Sequence, residues 1–227
     1  MRLVFLFLLI LNSYWISAQK VSKIASLSFC GFRSENVENL RKYLLPELAF
    51  LRLSPGDTLV DIGAQSGVYE ASLTAIADLQ NVHFILVDID TLCLNHKKLS
   101  NVISHYEKFG RPISAQQFSI VHNTVDSLFL PIDQYRKALL RNVIHEIKRP
   151  EAFIKSIYNV LHSHGELIVM ETIPTKKGKL HGGCRMPLFS FEELKTLFQK
   201  AGFHFVEKQD LLEGSKPRKH MLRFIKP

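Results

Sequence analysis

The segment Asp61-Ile62-Gly63-Ala64-Gln65-Ser66-Gly67 constrains this chain more than any other stretch. An apolar run, Thr58-Leu59-Val60, leads into it, and an amphipathic stretch from Val68 to about Leu79 follows. That is a strand, a glycine turn and a helix. Glycine has no Cβ and tolerates φ > 0, so such a turn lets backbone and a helix N-terminus come close to a ligand. An acid just before the first glycine can face a cationic or hydroxyl-bearing group. The turn therefore reads as a nucleotide-cofactor site. Its companion is Leu86-Val87-Asp88-Ile89-Asp90, where a second apolar run ends on an acid. In doubly wound sheets an acid at the second strand end binds ribose hydroxyls. An ordinary strand-to-helix turn would account for the glycines, but not for the acid that follows them.

The 227 residues suffice for one sizeable core and are few for two. A hydrophobic content of 46% with 22% charged residues excludes a disordered chain. The formal charge is +8, but its densest clusters, Lys176-Lys177-Gly178-Lys179 and Lys216-Pro217-Arg218-Lys219-His220, lie in turn-like contexts. No aromatic residues interleave with them as a base-stacking platform requires, so a nucleic-acid partner is not expected.

The N-terminus reads differently from the rest. Arg2 precedes the apolar run Leu3–Leu11, and Ser17-Ala18-Gln19 follows at a small-residue boundary. A basic start, a short apolar core and such a boundary describe a secretory signal peptide over residues 1–18, with a mature domain over 19–227. The apolar run is shorter than the ~20 residues of a spanning helix. Tyr14-Trp15-Ile16 extends its apolar character, so an uncleaved anchor stays open, and with it a tether to the membrane. The expected location is exported, periplasmic or extracellular. Three cysteines match no disulfide framework or metal spacing. Cys93 lies in a helical pattern and reads as a small buried hydrophobe. Cys30 and Cys184, both in irregular segments, are free to pair after export.

Along the chain, Val37, Leu40, Leu44, Leu48 and Leu51 recur at helical spacing. Candidate strands follow at Thr58–Ile62, His83–Asp88, Gln117–His122, Arg136–Arg141 and Glu166–Glu171. Helical patterns fill the gaps over Val68–Leu79, Leu92–Phe109 and Pro150–His162. This alternation predicts parallel strands with right-handed crossovers, helices covering both faces. A helix over Phe191–Ala201 and two closing strands, near Phe203–Lys208 and Met221–Ile225, complete an α/β, Rossmann-like, seven-stranded and mostly parallel sheet.

From Leu44 to the C-terminus the chain resembles the class I S-adenosylmethionine-dependent methyltransferases. The resemblance rests on Leu53-Ser54-Pro55-Gly56-Asp57-Thr58-Leu59-Val60-Asp61-Ile62-Gly63, Val87-Asp88-Ile89, Leu130-Pro131 and Arg141-Asn142-Val143-Ile144-His145-Glu146-Ile147. It continues through Ile157 to Glu171, Phe191-Glu192-Glu193-Leu194 and Ala201-Gly202-Phe203. The resemblance implies S-adenosylmethionine as cofactor, its methionine end held by Asp61, Gly63, Ala64 and Gly67. Asp88 would take the ribose hydroxyls, and Ile89 would lie against adenine. The acid that reaches the adenine amino group would be Asp126, or Thr124 in another alignment. Asn142 and Val143 would line the methyl-transfer site. Three positions depart from the family pattern: Gln65 replaces the middle glycine of the turn, Arg136 or Lys137 an acid, and His164 the first of two glycines.

Methyl transfer is an in-line displacement in which positioning does much of the work. A hydroxyl acceptor must also lose its proton, and a histidine near its ordinary pKa suits that task. His145 follows the fourth strand at the edge where open α/β sheets bind ligands, and it resembles the base of small-molecule O-methyltransferases. Glu171, at the end of the next strand, is placed to orient it. A strand-end histidine bonded to backbone is the other reading of His145. His181-Gly182-Gly183-Cys184-Arg185 falls in the loop where relatives contact substrate. Its His181 and Cys184 supply only two ligands, so no metal is expected. The expected function is methyl transfer to a small-molecule acceptor, at oxygen. The alternative is a secreted binding module that keeps the fold without turnover.

Overall fold

The computed structural model describes Cys30 and residues 36–79, 81–109, 111–176, 178–213 and 216–227. The expected signal peptide lies outside the described residues. The seven strands are β1 (Thr58–Ile62), β2 (His83–Asp88), β3 (Phe118–His122), β4 (Tyr135–Arg141), β5 (Leu161–Glu171), β6 (His204–Glu213) and β7 (Lys216–Ile225). Among the described residues five α-helices accompany them: α1 (Val37–Leu51), α2 (Val68–Ile76), α3 (His96–Tyr106), α4 (Pro150–Val160) and α5 (Phe191–Lys200).

The sheet order is β3-β2-β1-β4-β5-β7-β6. The first five strands are parallel, whereas β7 runs antiparallel to both β5 and β6. The seven-stranded, mostly parallel sheet read from the sequence is therefore the one observed. Strand alternation sends neighbouring residues to opposite faces. Leu59, Leu86, Leu139 and Ile168 pack with residues of α1, α2 and α3 on one face. On the other, Val60, Val87, Leu140 and Val169 meet Ile154, Ile157 and Phe198 of α4 and α5. Order β2-β1-β4 means the chain reverses direction across the sheet between β1 and β4. That switch point opens a crevice at the carboxyl edge.

Local signals set the boundaries. Asn36 caps α1 by accepting from the Glu38 and Asn39 amides, and Arg52 ends it at φ 49°. Ser190 and Glu193 form a reciprocal capping box at the start of α5. The long helix expected from Leu92 is shorter. Asp90 Oδ1 accepts from the Leu92 and Cys93 amides in a turn, and α3 starts only after Asn95 caps it. Strand β5 is longer than expected: it begins at Leu161, and the Tyr135/Lys137 register shift absorbs the extra residues. There His164 takes φ 63° in place of the usual glycine. Lys137 replaces an acid of the family pattern and bonds Asp57 Oδ2 at 2.9 Å.

The cysteine pairing is a correction. Cys93 is bonded to Cys30, while Cys184 is free and exposed. Cys93 lies in the turn after β2 and not in a helix, so its thiol is available to the segment that precedes α1. Sequence spacing carried no sign of that approach across the sheet edge.

Candidate active site

The crevice at the switch point is a cavity of about 800 Å³ lined from every element that ends there. Asp61, Gly63, Ala64, Asp88, Ile89, Asp126 and Asn142 all border it; Gly67 lies behind. Gly63 is at φ 87°, and a Cβ there would lie 2.2 Å from Val143 Cγ2. The turn therefore presses against the β4 end as only glycine permits. Gly67, at φ 74°, starts α2, and a Cβ would lie 2.7 Å from Leu86 Cδ1. Gln65 also takes positive φ, at 52°, with its side chain exposed. The missing middle glycine is thus accommodated by backbone conformation.

The amides of the turn are used within the protein. Gly63 and Ala64 donate to Val87 O at 2.8 and 3.2 Å, and Gln65 donates to Asp88 Oδ2 at 2.8 Å. What faces the cavity is Gly63 without a Cβ, flanked by Ala64 and Gln65, with the carboxylates Asp61 and Asp88 beside them. Asp88 Oδ1 accepts from the Asp90 amide at 2.9 Å, which pins the carboxylate; each of its oxygens keeps a second lone pair for a ligand hydroxyl. Ile89 is exposed and supplies an apolar contact.

Asp61 is buried, and its Oδ1 has no hydrogen-bond partner. Burial raises its pKa, and the Arg141 charge works the other way. Glu70 is buried beside it and is held well above the ordinary value, first by burial and then by the Asp61 charge. On the opposite wall Asp126 forms a two-pronged pair with Arg149, Nε to Oδ1 at 3.1 Å. Thr124 lines the same wall. Asn123 does too, with a buried Oδ1 lacking a partner. That oxygen is an acceptor available to a ligand amino group. Asn142, at φ 55°, donates its amide to Met170 O at 2.8 Å and turns the chain away from β4.

Sequence reasoning missed several wall residues. Asn39, Leu40 and Tyr43 of α1, Tyr69 and Ser72 of α2, and Arg141 of β4 all border the cavity. Arg141 stacks on the Tyr69 ring at 4.3 Å, and its Nε has no hydrogen-bond partner. No local signal marked Tyr69, because it also fits a buried helical stripe, and Tyr43 lies on an exposed part of α1.

His145 does not border this cavity. Its ring, 1% exposed, faces an adjoining cleft that also includes Met186, Leu188 and Phe189. Nδ1 is 2.9 Å from Glu171 Oε2, and Glu171 Oε1 accepts the Ile144 amide at 3.0 Å. Nε2 has no hydrogen-bond partner, with Glu146 Oε1 at 3.7 Å. Burial works against the imidazolium, but the Glu171 hydrogen bond and the charges of Glu171 and Glu146 outweigh it and raise its pKa. Glu146, unlike His145, lies on the cavity wall.

The methyltransferase-domain family matches residues 35–208, and the chain belongs to it. Among curated proteins none matches the sequence. Solved structures share the fold. An S-adenosylmethionine-dependent methyltransferase from Aquifex aeolicus aligns with a TM-score of 0.62 at 14% identity, over 87% of this chain and 100% of that one. One from Methanosarcina mazei aligns at 0.59 and 15%, over 80% and 97%. Phosphoethanolamine N-methyltransferase 2 of Haemonchus contortus, solved with S-adenosylmethionine, aligns at 0.60 and 13%, over 85% and 57%. The chain is thus a class I methyltransferase, and S-adenosylmethionine is its methyl donor. The residues present fit that donor: a Cβ-free wall at Gly63, an orphaned buried oxygen on Asp61, and a pinned carboxylate at Asp88.

Proposed function

We propose that this methyltransferase acts on a small-molecule acceptor, at oxygen, after export from the cytoplasm. The observation that carries the acceptor reading is one crevice that reaches both the cofactor residues Asp61 and Asp88 and the polar group Asn142, Glu146 and Lys148. Such a concave site suits a small molecule. Asp61, Gly63 and Ala64 would hold the methionine end, Asp88 the ribose and Ile89 the adenine. Asp126, committed to Arg149, would close that wall, and Asn123 would take the adenine amino group. When bound, S-adenosylmethionine supplies an electrophilic methyl group on a sulfonium.

The chain's own residues do the rest. Asn142 and Val143 position the acceptor beside the turn. Glu146 is the carboxylate placed to receive the proton of an acceptor hydroxyl. His145 acts on Glu146 from behind as a positioning residue, itself oriented by Glu171. No nucleic-acid partner is part of this reading. Residues 1–18 would direct export, and the membrane would be touched only through that segment if it stays uncleaved. Among the described residues no helix is long and apolar enough to cross a membrane. The Cys30–Cys93 disulfide supports an oxidising compartment.

Titration calorimetry of the purified protein with S-adenosylmethionine and S-adenosylhomocysteine should give micromolar binding that Asp88→Ala abolishes. Absence of binding by the folded protein would sink the reading. With hydroxyl, amine and thiol acceptor panels, Glu146→Gln should slow transfer to hydroxyls about 100-fold without weakening donor binding. Turnover confined to amines or thiols would overturn the oxygen assignment.

A further inference from the structure

The cleft beside the cavity holds three side chains that the fold gathers from two separate segments. His145 leaves the end of β4, whereas His181 and Cys184 come from the loop between β5 and α5. One potential ligand atom from each lies within 4.8 Å of the others. We propose that His145, His181 and Cys184 form a zinc site that fastens this loop to the edge of the active site.

The donors are prepared for a metal. His145 Nδ1 is committed to Glu171, which leaves Nε2 as the coordinating atom, and Nε2 is buried with no hydrogen-bond partner. An imidazole whose far nitrogen is fixed by a carboxylate is the usual supporting arrangement around a zinc ligand. Glu171 is itself fixed by the Ile144 amide. His181 Nδ1 is 3.1 Å from Cys184 Sγ, and the two rings His145 and His181 are 4.5 Å apart. A tetrahedral zinc needs ligand atoms separated by roughly 3.3–3.6 Å, given its bond lengths. Gathering the three requires a contraction of at most about 1.5 Å, within reach of the half-buried His181 and the exposed Cys184 side chains on the loop.

The loop is already shaped for the task. His181 donates its amide to Met186 O at 2.8 Å, Arg185 to His181 O at 3.1 Å, and Leu188 to Lys179 O at 3.0 Å. Leu180 and Pro187 bridge antiparallel. Gly182 and Gly183 let the chain fold back so that positions 181 and 184 share one side. Two imidazoles and a thiolate select zinc over magnesium or calcium, which need oxygen cages. The fourth position is left to water. Binding releases the Cys184 thiol proton to solvent, and no redox change is involved.

The site stands or falls independently of the methyl acceptor, and its test reads the metal directly. The untagged, metal-stripped protein, with its disulfide intact, would be titrated with zinc and separately with cobalt(II). We expect one zinc per chain, and tetrahedral cobalt bands with a thiolate-to-cobalt charge-transfer band. Cys184→Ser should abolish the charge-transfer band, and both it and His181→Ala should weaken zinc binding at least about 100-fold. Both side chains lie on the loop outside the core, so folding should be preserved, as circular dichroism would verify. Equal zinc affinity in wild type and Cys184→Ser, or cobalt spectra without a thiolate band, would overturn the proposal.

Discussion

Burial and the Asp61 charge raise the pKa of Glu70 beneath the glycine turn, and this makes stability depend on pH in a direction opposite to that of most acids. The folded-state pKa of Glu70 is raised well above the model-peptide value of 4.5. Its contribution is therefore complete below that value and is lost as pH rises through the folded pKa. A proton retained only by the folded chain costs about 1.4 kcal/mol of stability per pH unit across that interval. Thermal melts from about pH 5 to about pH 9 should show wild type falling relative to Glu70→Gln, which keeps the shape of the side chain without its titrating proton. Parallel pH profiles would mean that the fold does not raise the pKa of Glu70. The residue scale is also where sequence reading reached furthest. Asp61, Gly63 and Asp88 are legible because a turn that must take φ > 0 leaves few residue choices. Glu70 was not, since a charged residue in a helix is normally solvated.

At the scale of elements, β7 is held by a buried cation. Arg223 is 1% exposed, donates to Glu207 Oε1 at 2.7 Å, to Glu166 and to Phe50 O, and stacks on the Phe50 ring at 4.8 Å. It thus joins β5, β6, β7 and the C-terminal turn of α1. Its partner acids retain some water contact, so the penalty for stranding them falls at the low end for buried pairs. Arg223→Met should cost about 3 kcal/mol, read as a lower urea midpoint with unchanged slope. A change under about 1 kcal/mol would show that methionine packing compensates. Among the described residues periodicity placed the seven strands and five helices, because amphipathic stripes and caps are local properties. It misjudged the start of α3 and of β5, where Asp90 and Asn95 side chains, and a register shift against β4, decide the boundary. It also misjudged the start of β7, because the basic cluster from Lys216, read as a turn, pairs with β6.

The whole molecule is closed by the Cys30–Cys93 disulfide, which joins the segment before α1 to the turn after β2 across a separation of 63 residues. In the chain-entropy description a loop of that length contributes about 4 kcal/mol. Cys93→Ser should lower stability by that order, and its melting temperature should no longer respond to reductant. Wild type should fall toward the variant when reduced. Reductant-insensitive wild type would show the pair is not formed. The molecule as a whole also assembled what spacing could not. His145, His181 and Cys184 meet only because β4 and β5 are neighbours and the loop after β5 folds back over them. Likewise Tyr43, Tyr69 and Arg141 become cavity walls only once α1 and α2 cover the crevice. The sequence by itself determined the order of elements, the glycine turn and the acid at each neighbouring strand end, because these follow from backbone sterics and local periodicity. Tertiary structure alone decided the cysteine pairing, the burial of Asp61 beside Glu70 and the placement of His145 outside the cavity. Each depends on which distant side chains burial brings within a few ångströms, and no local pattern encodes that.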